Sequence, residues 1–357
     1  MKRAISQAIV VFFVLANCCL AEIVELSIDD APTALDESKL RVHFIDVGTG
    51  FAAFIQTPNN HKSIFVDGGK EAKERLVDYL HRFHPKNSVI DLAIVTHADN
   101  DHFYGMMKVF DGWDVKEFWN TGYDHSELNE KGYWKKNFLT NRVSTENGCD
   151  VKMPLGECYN AGDEVILDGL KDIRIVLLNT DKQPPKRDPI SNRRFDESLR
   201  RNNASLVFKV VYQDISFLIT GDINGRSLDA SNDSMHLYEC DSEELELVSR
   251  HLYAGPEFNL KATVLQIPHH GSNGSSSMAF LNAVNPEYAV IPAGFGHGHP
   301  TDEVLFRLNK ADIAESNILR TDQGETETVA DEILDDTFVF ETDGVAVTRL
   351  FRIKMTE

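Results

Sequence analysis

The stretch Thr96-His97-Ala98-Asp99-Asn100-Asp101-His102 decides what this chain can be. The apolar run 92–95 precedes it and predicts a buried strand. A strand that ends in imidazoles and carboxylates is a poor way to build a core, but zinc takes both groups as ligands. The stretch therefore indicates a metal site. The alternative is a polar loop that holds two histidines and two aspartates without a metal.

Three more predicted strands end in similar polar clusters. One strand closes with Ile219-Thr220-Gly221-Asp222, and another with Ile267-Pro268-His269-His270-Gly271-Ser272. The strand 288–291 is followed by His297-Gly298-His299-Pro300. Each cluster alone is common in turns and on surfaces. Because the ends of neighbouring strands gather at one edge of a sheet, the four together predict a single site.

The first 21 residues differ from the rest of the chain. A basic start is followed by an apolar run over 8–15, and Cys19-Leu20-Ala21 ends on a small residue. This layout predicts a secretory signal peptide, residues 1–21, cleaved after Ala21. The run is short for a membrane span, and an uncleaved anchor is the alternative. We therefore expect a secreted or periplasmic protein.

Beyond the signal, the chain is expected to hold a mobile lead-in segment, 22–40, and one domain, 41–357. Strands, a helix, another strand and a polar loop occur in an order that then repeats. This order predicts two mixed β-sheets packed face to face with helices outside, a fold of the α/β (α+β) class. The aromatic, polar segment 111–160 has weak periodicity and is interpreted as an insertion or lid. Segment 181–203 has three prolines and is interpreted as a basic loop.

Charge limits the choice of partner. The formal net charge is −20, and loss of Lys2 and Arg3 with the signal would give −20 − 2 = −22. Such a field repels polyanions, so we expect no stable nucleic-acid complex. Segment 181–203 nevertheless carries seven basic and four acidic residues. It is either an arm that delivers an anionic substrate or an ordinary solvated loop. The oligomeric state stays open.

The four motifs, together with Phe44-Ile45-Asp46-Val47-Gly48 and Val66-Asp67-Gly68-Gly69, resemble the metallo-β-lactamase superfamily. Within it they are most similar to the branch like the hydrolase domain of the ComEC/Rec2 DNA-uptake proteins. The resemblance covers roughly residues 41–348 and implies a metallo-β-lactamase αββα sandwich with a two-metal site at one edge. The membrane channel of the uptake proteins has no counterpart here, so we expect no transport role.

By this resemblance, one metal would be bound by His97 and Asp99, the other by Asp101 and His102, and Asp222 would bridge the two. His269 or His270 would add an imidazole to the second metal. The sequence does not distinguish them, and the other would contact the substrate or the leaving group. The predicted metal ligands are His97, Asp99, Asp101, His102, Asp222, His269 and His270. The predicted catalytic residues are Asp101, Asp222, His270 and His299. The predicted substrate residues are Asn203, Ser272, His299, Arg200 and Arg201.

The chain departs from the family pattern in several places. Asp99 stands where many members have histidine, although aspartate is usual in this branch. A histidine expected upstream of Asp222 is missing, and Asn202-Asn203 stand near its place, so the first metal site is expected to be weaker or served by an amide oxygen. Gly50-Phe51 replaces an expected Gly-Asp, and 103–106 replaces a glycine pair. Ser272 is also expected to cap a helix.

The chemistry follows from charge. Two divalent ions about 3.5–4 Å apart lower the pKa of a bridging water to about 7 and neutralise developing negative charge. Zinc is expected, and manganese is possible because Asp99 makes the ligand set harder. We therefore expect an exported binuclear phosphodiesterase or nuclease-like hydrolase that uses a metal-bridging hydroxide. The alternatives are a lactone, lactam or thioester hydrolase of the same fold, or a non-catalytic envelope-binding protein.

Overall fold

The structure is a computed structural model. It describes residues 21–70, 73–86, 88–123, 138–139, 143, 149–152, 159–166, 170, 172–179, 184, 186, 197–225, 242–294, 296–323 and 336–354. The predicted signal peptide lies outside this part of the chain except for Ala21. So do most of the predicted lid and most of the predicted basic loop.

Sixteen strands in the described residues form two mixed sheets. In spatial order, the first sheet contains β1 (Ile23–Ser27), β16 (Val347–Lys354), β15 (Thr337–Thr342), β2 (Leu40–Phe44), β3 (Ala52–Gln56), β4 (Ser63–Asp67), β5 (Val89–Ile94), β6 (Asp114–Trp119) and β7 (Asp150–Lys152). The second contains β14 (Ile318–Arg320), β13 (Tyr288–Ile291), β12 (Val264–Gln266), β11 (Ile215–Ile219), β10 (Phe208–Tyr212), β9 (Ile173–Leu177) and β8 (Glu164–Ile166).

The sheets pack face to face through an apolar layer. Phe340 of the first sheet lies edge-on to Phe217 and Tyr288 of the second, with ring centroids 5.9 and 5.4 Å apart. These rings are completely or almost completely buried. Apolar side chains that face this layer recur along the strands, so the strands could be predicted from the sequence.

Helices cover both outer faces. The described helices are α1 (Ala31–Ala34), α2 (Lys73–Phe83), α3 (Asn100–Phe103), α4 (Met106–Gly112), α5 (Glu197–Asn203), α6 (Ser242–Tyr253), α7 (Met278–Val284) and α8 (Asp302–Lys310). Leu76 of α2 and Val109 of α4 pack on the first sheet, while Leu281 of α7 and Leu308 of α8 pack on the second. The predicted αββα sandwich is therefore confirmed. No described helix is long and apolar enough to cross a membrane.

Parallel strands direct the polar motifs to one edge. Strands β4, β5 and β6 run parallel in the first sheet, as do β11, β12, β13 and β14 in the second. The motifs at 96–102, 219–222, 267–272 and 297–300 follow β5, β11, β12 and β13, respectively. Parallel sheets hold their ligand sites at these carboxyl ends.

Three regions differ from the sequence interpretation. The predicted lead-in contains β1, which pairs in parallel with β16, and α1. The predicted lid contains β6 and β7, which extend the first sheet. The end of the predicted basic loop is helix α5. β1 and β7 are edge strands, and β1 is largely exposed, so burial imposes little apolar alternation on it.

Candidate metal centre

The loop after β5 needs a close backbone approach to reach the site. Phe51 N donates to Asp101 O at 3.3 Å. A Cβ atom on Gly50, whose φ is +119°, would lie 2.0 Å from that same oxygen. Only glycine fits here. The departure Gly50-Phe51 therefore removes a carboxylate but keeps the glycine on which the position of Asp101 depends.

Four predicted residues converge at the sheet edge; we call them the four-residue cluster: Asp101, His102, Asp222 and His270. His102 Nε2 lies 3.2 Å from Asp222 Oδ1. His270 Nε2 lies 3.3 Å from Asp222 Oδ2 and 3.7 Å from Asp101 Oδ2. Asp101, His102 and His270 could together hold one ion, and so could His97, His102 and Asp222.

Hydrogen bonds at the far side of each ring set the direction of its free nitrogen. His102 Nδ1 lies 2.8 Å from Asp67 Oδ2, and His270 Nδ1 lies 2.7 Å from the Pro292 carbonyl. Both partners accept, so each Nδ1 donates, and in a neutral ring Nε2 then carries a lone pair. The two Nε2 atoms face each other at 3.3 Å. Two such lone pairs repel unless a positive charge lies between them.

The charged groups around the cluster also favour a positive charge at this position. Burial alone would lower the pKa of His102, but the carboxylates of Asp222 and Asp67 outweigh it and raise that pKa well above its usual value. Burial would raise the pKa of Asp222, but three imidazoles hold it well below its usual range. The cluster thus stabilises positive charge, which either a proton or a divalent cation can supply.

An unpartnered buried atom supports a cation as well. Within the described residues, His97 Nε2 is buried and lacks a hydrogen-bond partner. Buried polar atoms of this kind call for a ligand. Two imidazole nitrogens and two carboxylates form a donor set that suits zinc and, with its oxygen share, manganese. The residues present therefore fit a divalent metal.

The two adjacent histidines, His269 and His270, have different surroundings in the structure. His270 belongs to the four-residue cluster, whereas His269 has amide neighbours at both ring nitrogens. Its Nδ1 lies 2.9 Å from Asn224 Oδ1, and its Nε2 lies 3.3 Å from the Asn202 amide. The residues have φ values of +49° and +55°, which turn consecutive side chains to different surroundings. The placement favours His270 as the metal ligand.

Asp99 has a partner that the sequence reasoning did not foresee. The Arg201 guanidinium donates from Nε to Asp99 Oδ1 and from Nη2 to Oδ2, the latter at 3.3 Å. His97 Nε2 lies 3.9 Å from Asp99 Oδ2 and 3.7 Å from Asp222 Oδ2. The predicted first metal site is thus occupied in part by an ion pair. Arg201, predicted to bind substrate, is bound to a predicted ligand.

Two other predicted substrate residues, Arg200 and Asn203, have structural partners. Arg200 donates to Glu197 and lies over the ring of Tyr123. Asn203 accepts from Asn224 N at 3.0 Å and donates to Ser242 Oγ.

The predicted helix cap at Ser272 is wrong. Helix α7 begins at Met278, and Ser277 is its N-cap, because the Ser277 side chain accepts from Phe280 N. Ser272 instead donates its N–H to the His269 carbonyl at 2.8 Å. It closes the turn that carries the histidine pair.

His299 lies beside the cluster. Its ring centroid is 5.9 Å from that of His269. Burial, with help from neighbouring imidazoles, lowers the pKa of His299 to about 4, so the ring is neutral near pH 7. Its Nδ1 is buried without a hydrogen-bond partner among the described residues. A neutral ring with an unused nitrogen suits a residue that contacts substrate.

Sequence reasoning missed Asp67 as a functional residue. Asp67 is fully buried and accepts from Thr96 N and Oγ1 at 2.7 and 2.6 Å as well as contacting His102. The signal was present, since a carboxylate ends the apolar strand 63–67. Its partner is 35 residues away in the chain, so no local pattern joined them.

Comparison with known proteins shows the family of this chain. The sequence profile described as the metallo-beta-lactamase superfamily matches residues 45–295. This chain belongs to the metallo-beta-lactamase superfamily. The chain shares 25% identity over 308 residues with ComE operon protein 3 of Bacillus subtilis (strain 168), and the match covers 81% of this chain and 33% of that protein. It shares 26% identity over 299 residues with Competence protein ComA of Neisseria gonorrhoeae, covering 82% of this chain and 32% of that protein.

These relatives confirm the resemblance to the ComEC/Rec2 branch. The superfamily member described here spans about a third of the length of each of them. Among solved structures, the metallo-beta-lactamase fold protein YhfI from Bacillus subtilis matches 85% of this chain and 100% of its own, with 10% identity and a TM-score of 0.46.

Proposed function

We propose that this chain is an exported, metal-dependent hydrolase that cleaves a phosphodiester. The observation that carries the proposal is the four-residue cluster, in which two imidazole lone pairs and two carboxylates point at one place. Superfamily membership supports hydrolysis in general. Zinc is the proposed metal, with manganese as the second choice. The amino-terminal pattern at 1–21 supports export, which sequencing the first residues of the mature protein tests.

The chain's own residues prepare the site for this reaction. A divalent ion held by the four-residue cluster would polarise a phosphoryl oxygen and acidify water. Asp67 and the Pro292 carbonyl fix the two rings so that Nε2 faces the site. The Ser205 hydroxyl accepts from Asp222 N at 3.1 Å and positions the backbone of that carboxylate. His299 Nδ1 has no hydrogen-bond partner among the described residues and would contribute a hydrogen bond to the substrate or leaving group.

One observation supports a phosphodiester over an uncharged acyl substrate. The relatives above are named as a ComE operon protein and a competence protein, and the motifs of this chain resemble the hydrolase domain of the ComEC/Rec2 DNA-uptake proteins. The net charge of −20 opposes long polyanions. We therefore propose a nucleotide or a phosphorylated envelope polymer as substrate before long DNA.

Parallel assays test this proposal. Metal-loaded protein is offered bis-p-nitrophenyl phosphate, nitrocefin and an acyl lactone. We expect turnover of the phosphodiester alone, loss of it with EDTA, and a decrease of orders of magnitude in Asp222→Asn with unchanged circular dichroism. Asp214→Asn, in the turn between β10 and β11, is the matched control. Faster lactam or lactone hydrolysis would overturn the substrate class, and a metal-loaded protein without any turnover would favour a binding role.

A further inference from the structure

We propose that Arg201 takes the place of a second metal ion, so that this chain binds one divalent cation, at the four-residue cluster. The inference rests on the proposed metal-dependent function, but it concerns the number of ions rather than the reaction. It departs from the two-ion expectation drawn from the family resemblance. Three sets of contacts carry it.

The first set of contacts occupies both oxygens of the Asp99 carboxylate. Both of its oxygens accept from the Arg201 guanidinium, Oδ1 from Nε and Oδ2 from Nη2. Both side chains are largely buried, with exposures of 13% for Arg201 and 19% for Asp99. A two-point, charge-assisted pair of this kind is strong and geometrically specific. Asp99 can join a metal only if this pair opens.

The second set concerns Asn202, which stands near the place of a missing ligand. In the amide orientation that satisfies both ends, Asn202 Nδ2 lies 3.3 Å from Asp99 Oδ2 and its oxygen accepts from His269 Nε2 at 3.3 Å. The same Nδ2 donates to the Ser198 carbonyl at 3.1 Å. Asn202 thus presents a donor to Asp99, and its oxygen is already bound. It reinforces the ion pair instead of supplying a metal ligand.

The third set concerns the ligands that remain available to a second ion. The compact three-residue ligand groups in the described residues both include His102, and neither includes Asp99. Without Asp99, the first site keeps His97 and a share of Asp222. A guanidinium stays charged at any relevant pH, so Arg201 neutralises Asp99 permanently and repels a second dication nearby. One full set of ligands is left, the four-residue cluster.

Metal stoichiometry tests the inference directly. The full chain is stripped with chelator, incubated with excess zinc or manganese, passed through a desalting column and analysed by mass spectrometry for metal per chain. We expect one ion in the wild type and two in Arg201→Ala, where Asp99 is released. Arg200→Ala removes a neighbouring cation of the same helix that contacts Glu197 and Tyr123 instead, and it should keep one ion. Manganese electron paramagnetic resonance provides a second readout, since two adjacent ions couple and one does not.

Asp99→Asn keeps the test decisive if Arg201→Ala does not fold. With one ion bound elsewhere, Asp99→Asn should retain one ion per chain, whereas Asp101→Asn should weaken metal binding at least tenfold. Two ions in the wild type, one ion in folded Arg201→Ala, or loss of an ion in Asp99→Asn would overturn the inference. A wild type with two ions that still hydrolyses phosphodiesters would leave the proposed function intact. A wild type that binds no ion would overturn both.

Discussion

At the residue scale, the orientation of each imidazole determines whether the cluster can accept a cation. His102 is fully buried, and its ring is fixed from behind by Asp67. Asp67 is in turn held by two hydrogen bonds from Thr96. Carboxylates in this second layer set the tautomer and raise the basicity of the ligand nitrogen. The strength with which His102 would bind the proposed metal therefore depends on Asp67, which is not itself in the four-residue cluster.

Replacement of Asp67 tests this dependence. We expect Asp67→Asn to weaken zinc binding by roughly 10–100-fold, because the amide no longer attracts the Nδ1 proton of His102 with a full charge. Competition with a chromophoric chelator measures the affinity. Asp91→Asn is the control, since that carboxylate accepts from Lys62 Nζ and from Ser63 N, the first residue of β4. Equal affinities in the two variants would show that Asp67 has only a structural role.

Some of these residues were predictable and others were not. The motif from His97 to His102 could be predicted from the sequence, because its candidate metal ligands all belong to one loop. The Arg201–Asp99 pair joins residues 102 positions apart, and nothing local in either segment predicts it. The choice between His269 and His270 depends on two positive φ angles that sequence does not reveal.

At the element scale, the loop 271–277 between the histidine pair and α7 is held from two sides. Glu244 of α6 is fully buried and accepts from the backbone N–H groups of Ser276 and Ser277. Arg307 of α8 is also buried and donates to the carbonyls of Asn273, Ser275 and Ser276. Two helices therefore fix the loop that follows His270, the proposed metal ligand.

Removal of Glu244 should destabilise the fold. We expect Glu244→Ala to lower the free energy of unfolding by roughly 2–5 kcal/mol, because two buried N–H donors lose their acceptor. Urea unfolding measures the change. Glu246→Ala is the matched control on the same helix; its exposed side chain pairs with Arg250 and is worth less than about 1 kcal/mol. Similar losses in both variants would contradict the role of the loop anchor.

Elements were predictable where burial enforced a pattern. The strand Tyr288–Ile291 has the predicted bounds, since its apolar residues face the core. The mostly exposed β1 and the three-residue β14 were missed, because they are too exposed or too short to show a period.

At the scale of the whole molecule, one buried lysine links stability to pH. Lys209 of β10 is almost completely buried and donates to the carbonyls of Asn259 and Lys261. Burial lowers the pKa of Lys209 from 10.5 to about 8. Below pH 8 the charged amine costs the folded state free energy. Between pH 8 and 10.5 the unfolded state binds the proton and the folded state does not, so stability rises with pH.

The pH dependence of Lys209→Met tests this linkage. We expect the stability of the wild type relative to the variant to increase by at most roughly 3 kcal/mol between pH 7.5 and 11. Chemical unfolding at a series of pH values measures the difference, in which other titrating groups cancel. Lys116→Met, which removes an exposed lysine, is the control. A wild-type advantage that stays constant or falls over this range would refute the assignment.

The sandwich makes the metal centre a property of the whole molecule. Asp101 and His102 follow β5, whereas Asp222 follows β11 and His270 follows β12. The two sheets meet so that residues as far apart as His102 and His270 come within 3.3 Å. The order of strands and helices was enough to predict this shared edge, because parallel strands bring their carboxyl ends together. What it could not predict was how many cations the edge would hold.

Anomalous diffraction from crystals soaked in zinc or manganese would locate the proposed ion. We expect a strong peak about 2.0–2.2 Å from His102 Nε2 and His270 Nε2, with Asp101 and Asp222 completing the coordination. A soaked crystal without a peak at these four side chains would contradict this expectation.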